Sequence, residues 1–128
     1  KVKSITPEFI DSRGYITRII DQKEIPIRSI LIITSKKLSK RAFHYHKKDF
    51  HFVYCLSGKM KYSEKDIRKK KVKWDEIILK TGELVLTKPM IAHKMEFIED
   101  TVLLVFTTET RDQVSYERDT IRFPEDKI

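Results

Sequence analysis

Three of the chain's four histidines fall in one ten-residue stretch, FHYHKKDFHF, and they are His44, His46 and His51; the fourth is His93. An imidazole with a pKa near 6.5 can accept and release a proton at neutral pH. Its nitrogens also bind Zn, Fe, Ni or Cu. The cluster therefore predicts a site for proton transfer or for a metal. Buried histidines satisfied by tyrosines and backbone are the third interpretation, and it fits one histidine better than four.

A metal bound by these four side chains would have neutral nitrogen ligands only. Four protein ligands would close a tetrahedral Zn site, which favours a structural role, whereas iron or nickel could keep further positions open. The metal hypothesis thus names a divalent ion such as Zn, Fe, Ni or Mn, held by His44, His46, His51 and His93.

Strand alternation is what would bring the histidines together. His44 and His46 are two residues apart, so they share one face of a strand. His51 begins the next apolar segment, HFVYCL, where it shares a face with Val53 and Cys55. The chain as a whole is rich in short β-branched and aromatic segments, which predicts an all-β sandwich or barrel. These segments are YITRII, RSILIIT, AFHYH, HFVYCLSG, KMKYSE, DEIILK, LVLTK, HKMEFI and TVLLVFTTE, with a short helix or turn expected at RDQVSYERD.

Length and composition limit the class of protein. With 128 residues, 40% of them hydrophobic, the chain is expected to form one globular domain over residues 1–128. The net charge is +8, but the lysines are scattered, so we expect no nucleic-acid partner. A single cysteine, Cys55, suits a cytoplasmic protein. No apolar run is long enough to cross a membrane, and no secretion signal is evident.

One charged segment, SEKDIRKKKVKWDE, lies between two predicted strands and is expected to form the tip of a hairpin. Such charge commonly keeps an exposed sheet edge from pairing with other chains, so a solvated loop is the simplest interpretation. The role of Trp74 within it stays open.

The histidine spacing resembles the cupin superfamily. Its first motif has H-x-H, four residues, a carboxylate or glutamine, six residues and a glycine, and this chain has His44, His46, His51 and Gly58 at those positions. Its second motif runs from a glycine through a proline to a histidine, matched by the sequence GELVLTKPMIAH, which ends at His93. The resemblance implies a single jelly-roll barrel whose four histidines occupy the positions that ligate metal in metal-binding cupins.

A more specific resemblance is to the sugar 3,4-ketoisomerases, and more distantly to the 3,5-epimerases of rhamnose synthesis. It is carried by DSRGYITRI, RAFHYHK, KPMIAHKM and YERDTIRF, with a basic insertion at residues 65–74. The chain departs from the ketoisomerase pattern at several positions. His51 replaces a glutamine, Ala42 a glycine and Ala92 a tryptophan, and the segment RSILI lacks the family's catalytic tyrosine.

The resemblance implies an enzyme that isomerises or epimerises a dTDP-4-keto-6-deoxyhexose and requires no cofactor. It also implies that His44 and His46 transfer protons at the carbon beside the ketone, one as acid and the other as base, in either order. Arg13, Arg41, Lys88 and His93 are expected to bind substrate, and a homodimer that exchanges N-terminal strands is expected. A metal-binding cupin with another small-molecule reaction, and a non-catalytic sugar-binding cupin, remain alternatives.

Overall fold

A computed structural model describes residues 2–123 and contains two five-stranded sheets, whose strands pair antiparallel. The strands are β1 Lys3–Ser4, β2 Phe9–Asp11, β3 Gly14–Ile16, β4 Ser29–Ser35, β5 Lys40–His46, β6 His51–Ser57, β7 Lys59–Asp66, β8 Asp75–Lys80, β9 Glu83–Thr87, β10 Ile91–Phe97, β11 Thr101–Thr107 and β12 Thr120–Arg122. The sheet orders are β1-β9-β6-β11-β4 and β12-β5-β10-β7-β8, and β2 and β3 form a separate hairpin.

The prediction of an all-β chain is confirmed, and one short helix, α1 Gln113–Asp119, occupies the predicted helical segment. Asp112 caps it by accepting a hydrogen bond from the backbone N–H of Ser115 at 3.0 Å. Within residues 2–123 no helix is long and apolar enough to cross a bilayer.

The core lies between the two sheets, where alternate residues point inward. Strand β11 shows the pattern most clearly, because Thr101, Leu103, Val105 and Thr107 are buried while the residues between them are partly exposed. The buried apolar cluster consists of Val53, Cys55, Met60, Tyr62, Leu79, Val85, Met95, Phe97, Leu103 and Val105. This packing fixes the faces of β5, β6 and β10, which carry the histidines.

One expected strand is shorter than the sequence indicates. The segment YITRII was predicted as a strand over its whole length, but β3 ends at Ile16. The chain then follows an irregular path in which the Gln22 side chain donates to the carbonyl of Ile25 and accepts from its N–H, both at 2.8 Å. Side-chain bonding of this kind replaces the ladder that a continued strand would need.

The pairing of β5 with β10 contains a bulge at the histidines. His93 pairs with His44, but Lys94 pairs with Ala42, so Phe43 is the extra residue on β5. Ala42 and Phe43 have φ angles of 74° and 58°, the left-handed region that non-glycine residues seldom adopt. The bulge sets the register that places His44 directly opposite His93.

Candidate active site

Four imidazole rings converge at one end of the barrel. The ring centroids of His44 and His46 are 4.6 Å apart, those of His44 and His93 are 4.7 Å apart, and those of His46 and His51 are 4.5 Å apart. All four side chains are buried, with His44 and His51 each 8% exposed and the other two 2%. The predicted grouping of the histidines is therefore present in the fold, and three strands contribute to it.

Hydrogen bonding fixes the tautomer of His46. Its Nδ1 lies 3.2 Å from the hydroxyl of Thr120, and that hydroxyl donates its own proton to the carbonyl of Tyr116 at 2.7 Å. The hydroxyl must therefore accept from Nδ1–H, which leaves the lone pair on Nε2. Nε2 of His46 is buried and has no hydrogen-bond partner. A buried nitrogen in this state is ready to receive a proton or a ligand.

His93 and His51 are oriented in the same manner. Nδ1 of His93 donates to the carbonyl of Ile91 at 3.0 Å, which leaves the lone pair on its Nε2. Nε2 of His51 donates to the carboxylate of Asp49 at 2.7 Å, which leaves the lone pair on its Nδ1. The backbone and a carboxylate thus hold one nitrogen of each ring and leave the other available.

Asp49 is a site residue that the sequence analysis missed. It is 2% exposed, and its Oδ1 accepts hydrogen bonds from the N–H and hydroxyl of Thr108 and from the N–H of Glu109. Burial raises the pKa of Asp49, but the hydrogen bond and electrostatic attraction of the His51 ring, together with the Thr108 amide, outweigh it and hold that pKa below its ordinary value. Asp49 is therefore an ionised anchor that orients His51.

The cluster strongly disfavours positive charge. Burial first, and then the neighbouring imidazoles, lower the pKa of His44 to about 2 and that of His46 to about 3. Burial is also the main cause that lowers the pKa of His93 to about 4. These three rings are consequently neutral at pH 7, and the repulsion between them allows one proton to be held more easily than two.

The chain's C-terminal segment closes one side of the site. The ring of Tyr116 on α1 lies 5.7 Å from that of His46, and Thr120 begins the edge strand that pairs with β5. Asp119 accepts hydrogen bonds from the N–H groups of Lys48 and Asp49, at 2.8 Å and 3.2 Å. The resemblance of YERDTIRF to a family segment pointed to this region, but not to these contacts.

Two of the predicted substrate-binding residues lie in other contacts. Arg13 forms a fork with the carboxylate of Asp11 in the β2–β3 turn. Arg41 donates to the Ser35 hydroxyl at 2.7 Å and to the Thr34 carbonyl at 2.9 Å, so it anchors the β4–β5 connection. These hydrogen bonds direct both guanidinium groups to partners other than the histidines, and the role of Arg13 and Arg41 toward substrate stays a prediction.

The other predicted residues lie close to the cluster or in the core. His93 is a member of it, and Lys88 follows β9 in the connection that leads into the strand of His93. Cys55 is fully buried, and burial raises the pKa of its thiol to about 11, which fits the expected role of a small apolar core residue.

Comparison with known proteins places this site in a family. The family described as FdtA: WxcM-like, C-terminal matches residues 1–127. The chain belongs to this family. A curated relative, the TDP-4-oxo-6-deoxy-alpha-D-glucose-3,4-oxoisomerase of Aneurinibacillus thermoaerophilus, is 31% identical over 116 residues, which is 87% of this chain and 81% of the relative.

Solved structures agree with this assignment. A sugar 3,4-ketoisomerase of Thermoanaerobacterium thermosaccharolyticum in complex with TDP matches with a TM-score of 0.75 and 28% identity, covering 99% of this chain and 89% of that one. The dTDP-4-dehydrorhamnose 3,5-epimerase of Sulfolobus tokodaii matches in fold, with a TM-score of 0.77 at 18% identity, over 94% and 74% of the two chains. The predicted family resemblance and the jelly-roll fold are confirmed.

Proposed function

We propose that this chain is a nucleotide-sugar isomerase or epimerase-like enzyme that acts on a dTDP-4-keto-6-deoxyhexose by proton transfer through His44 and His46. The observation that carries the proposal is the convergence of four buried imidazoles, three of them with one nitrogen hydrogen-bonded and the other available. The family and the 31% identical oxoisomerase supply the substrate class.

The chemistry needs a base beside the carbon next to the ketone. A neutral imidazole removes the proton from that carbon, and the electron pair moves to the carbonyl oxygen to give an enediolate. Return of the proton to the former carbonyl carbon, with transfer of the hydroxyl proton between the two oxygens, leaves the ketone on the neighbouring carbon. The rings of His44 and His46 are 4.6 Å apart, close enough for one to act as base while the other donates to the developing oxyanion.

The low proton affinity of the rings favours the second half of this sequence. The pKa of His46 in the fold is about 3, well below its ordinary value, so an imidazolium formed there returns its proton readily to the enediolate. The negative charge of Asp49 raises the pKa of His46, against the effect of burial and of the neighbouring rings. Asp49 therefore offsets part of the repulsion while His46 holds the proton.

The test is solvent-proton exchange into a TDP-4-keto-6-deoxyglucose substrate in D2O, followed by NMR at the carbons beside the ketone. Exchange is expected with the native chain and should be lost in His44→Asn and in His46→Ala. Tyr45→Phe is the matched control, because Tyr45 lies between them on β5 and its side chain points to the other face. Undiminished exchange in both histidine variants would remove these residues from the mechanism.

A metal site is the second candidate, and two observations favour it. Ligand atoms of His44, His46 and His93 lie within 4.8 Å of one another, as do those of His46, Asp49 and His51. Nε2 of His46 is also a buried nitrogen with no partner. The donor set fits a divalent ion that accepts nitrogen ligands, such as Zn, Fe, Ni or Mn, and such an ion would polarise the sugar carbonyl.

Metal analysis by mass spectrometry separates the two candidates when the protein is purified without a nickel column. About one equivalent of metal per chain, lost in His51→Gln together with exchange activity, would favour the metal site. Full exchange activity in protein that contains no metal and has been treated with a chelator would favour proton transfer by the imidazoles alone.

The proposed assembly is a homodimer in which exposed apolar surfaces of two copies cover one another. The β2–β3 hairpin exposes Ile10 and Tyr15, at 63% and 73%, and the edge strand β4 exposes Ile30 and Ile32, at 65% and 71%. Large apolar side chains exposed to this degree are typical of an interface. Ile32→Glu should convert a dimer to a monomer in sedimentation velocity, whereas Leu38→Glu, at an exposed turn position, should not. A native chain that sediments as a monomer would contradict the proposal.

A further inference from the structure

The four imidazoles supply proton acceptors more readily than hydrogen-bond donors. Hydrogen bonds hold the proton on one nitrogen of His46, His51 and His93, so each of these rings presents a lone pair to the site and cannot donate from it. Removal of a proton beside a ketone places negative charge on the ketone oxygen, and donors aimed at that oxygen stabilise it. Of the four rings only His44 is left to donate, so a further donor is expected beside the cluster.

Two tyrosine rings contact the cluster, and their hydroxyl groups differ in availability. The Tyr62 ring lies 6.5 Å from that of His93, and the Tyr116 ring lies 5.7 Å from that of His46. Tyr62 is 1% exposed, and its hydroxyl lies 2.5 Å from the hydroxyl of Thr87 in the core. Tyr116 is partly exposed, and among the described residues its hydroxyl has no hydrogen-bond partner. Tyr116 is therefore the tyrosine whose proton is available to a ligand.

Backbone hydrogen bonds and ring packing hold Tyr116 against His46. The Tyr116 carbonyl accepts a bond of 2.7 Å from the Thr120 hydroxyl, and that hydroxyl accepts from Nδ1 of His46 at 3.2 Å. The Tyr116 N–H donates to the Asp112 carbonyl at 2.9 Å. The Arg111 guanidinium lies over the phenol ring, 4.1 Å from its centroid. The phenol is thus held in place before any ligand binds, which is what an effective donor to a developing anion requires.

Arg122 places positive charge between the phenol and the second catalytic ring. It pairs with His44 across β12 and β5. Burial and the neighbouring imidazoles are the main causes that lower the pKa of His44, and the charge of Arg122 adds to them. The pKa of Arg122 is raised by its hydrogen bond to Glu117 and, to a smaller degree, by the Tyr116 phenol. An anion formed beside the rings of His44 and His46 would therefore meet both a positive charge and a hydroxyl donor.

We propose that Tyr116 is a catalytic residue whose hydroxyl donates a hydrogen bond to the sugar oxygen that becomes negatively charged when His44 or His46 removes the proton from the neighbouring carbon. The inference rests on the proposed function for the reaction, and it adds a donor that the histidines supply only in part. It also gives a function to α1, a fully described helix in which no residue is buried.

The first test is the kinetics of Tyr116→Phe, which removes the hydroxyl and keeps the ring. Loss of one donor to an oxyanion lowers kcat by about 100-fold or more, so kcat for TDP-4-keto-6-deoxyglucose should fall by about this factor while KM changes little. Tyr45→Phe is the matched control, because it makes the same change on the other face of β5, and it should keep the native kcat. An unchanged kcat in Tyr116→Phe, or a loss matched by a lower thermal midpoint, would overturn the catalytic role.

The second test does not depend on turnover. His44→Asn should bind the keto sugar without consuming it, and infrared spectroscopy of sugar labelled with ¹³C at the ketone then reports the hydrogen bond to the ketone oxygen. A donor lowers the C=O stretching frequency, so the bound ketone should absorb at a lower frequency in His44→Asn than in His44→Asn/Tyr116→Phe. Equal frequencies would overturn the role of Tyr116.

The two tests together separate this inference from the proposed function. A lower frequency in the presence of Tyr116, with a native chain that shows no proton exchange on the keto sugar, would support the donor and count against the isomerase activity. Proton exchange by the native chain, with equal frequencies in the two variants, would support the isomerase and overturn the donor. A keto sugar that binds neither variant nor the native chain would overturn both proposals.

Discussion

Acidification from pH 7 to pH 5 should destabilise the folded chain steeply. The pKa of His44, His46 and His93 in the fold is about 2, 3 and 4, whereas an unfolded histidine titrates near 6.5. Below pH 6.5 the unfolded chain binds protons that the folded chain does not, so the stability present above pH 6.5 is lost as the pH falls. Each such group costs about 1.4 kcal/mol per pH unit, so the three groups together cost about 6 kcal/mol by pH 5.

That loss is as large as the whole stability of many small domains, about 5 to 15 kcal/mol. Urea unfolding at half-unit steps between pH 7.5 and 5 measures it directly. His44→Asn removes one of the three buried imidazoles and should reduce the slope by about one third, whereas Tyr45→Phe should leave it unchanged. A free energy of unfolding that is constant to within about 1 kcal/mol over this range would refute the neutral, buried cluster.

Substitutions at Asp49 and at two glycines test, by urea unfolding, the contacts that support the site. Asp49→Ala should lower the free energy of unfolding by about 3 to 5 kcal/mol, because it leaves buried donors on Thr108 and Glu109 and the His51 ring without an acceptor. Asp49→Asn keeps one acceptor oxygen and should cost less, so equal losses would contradict this role. Gly58→Ala should destabilise the fold more than Gly14→Ala, although both glycines have positive φ. A Cβ at Gly58 would lie 2.5 to 2.7 Å from neighbouring atoms, whereas one at Gly14 would meet no atom within 4 Å. The reverse order of stability would contradict the close contact at Gly58.

The H-x-H spacing predicted the shared face of His44 and His46 because strand alternation has a period of two wherever one face is buried. The position of His51 and His93 beside that face was also predicted, but from the family motif and not from strand alternation. The strand boundaries near the core agree with the apolar segments for the same reason, since burial enforces the pattern along β6, β10 and β11.

The role of Asp49 could not be predicted in this way. Its carboxylate accepts hydrogen bonds from the N–H groups of Thr108 and Glu109, which are 59 and 60 residues away in the sequence. Only the folded sheet brings those groups together. In the sequence it is one charged residue in a polar turn. The bulge at Ala42 and Phe43 could not be predicted either. Positive φ usually occurs at glycine or asparagine, and the sequence has neither of these residue types at the bulge.

The bulge determines where the chain can change length during evolution. Deletion of one residue between Lys40 and His44 would remove the extra residue and shift the register between β5 and β10, so that His44 would no longer lie opposite His93. The loop of residues 67–74 joins two paired strands of a hairpin, and residues gained or lost there leave every pair of that hairpin in place. We therefore expect homologous chains to vary in length at this loop and to keep a constant spacing from Lys40 to His46.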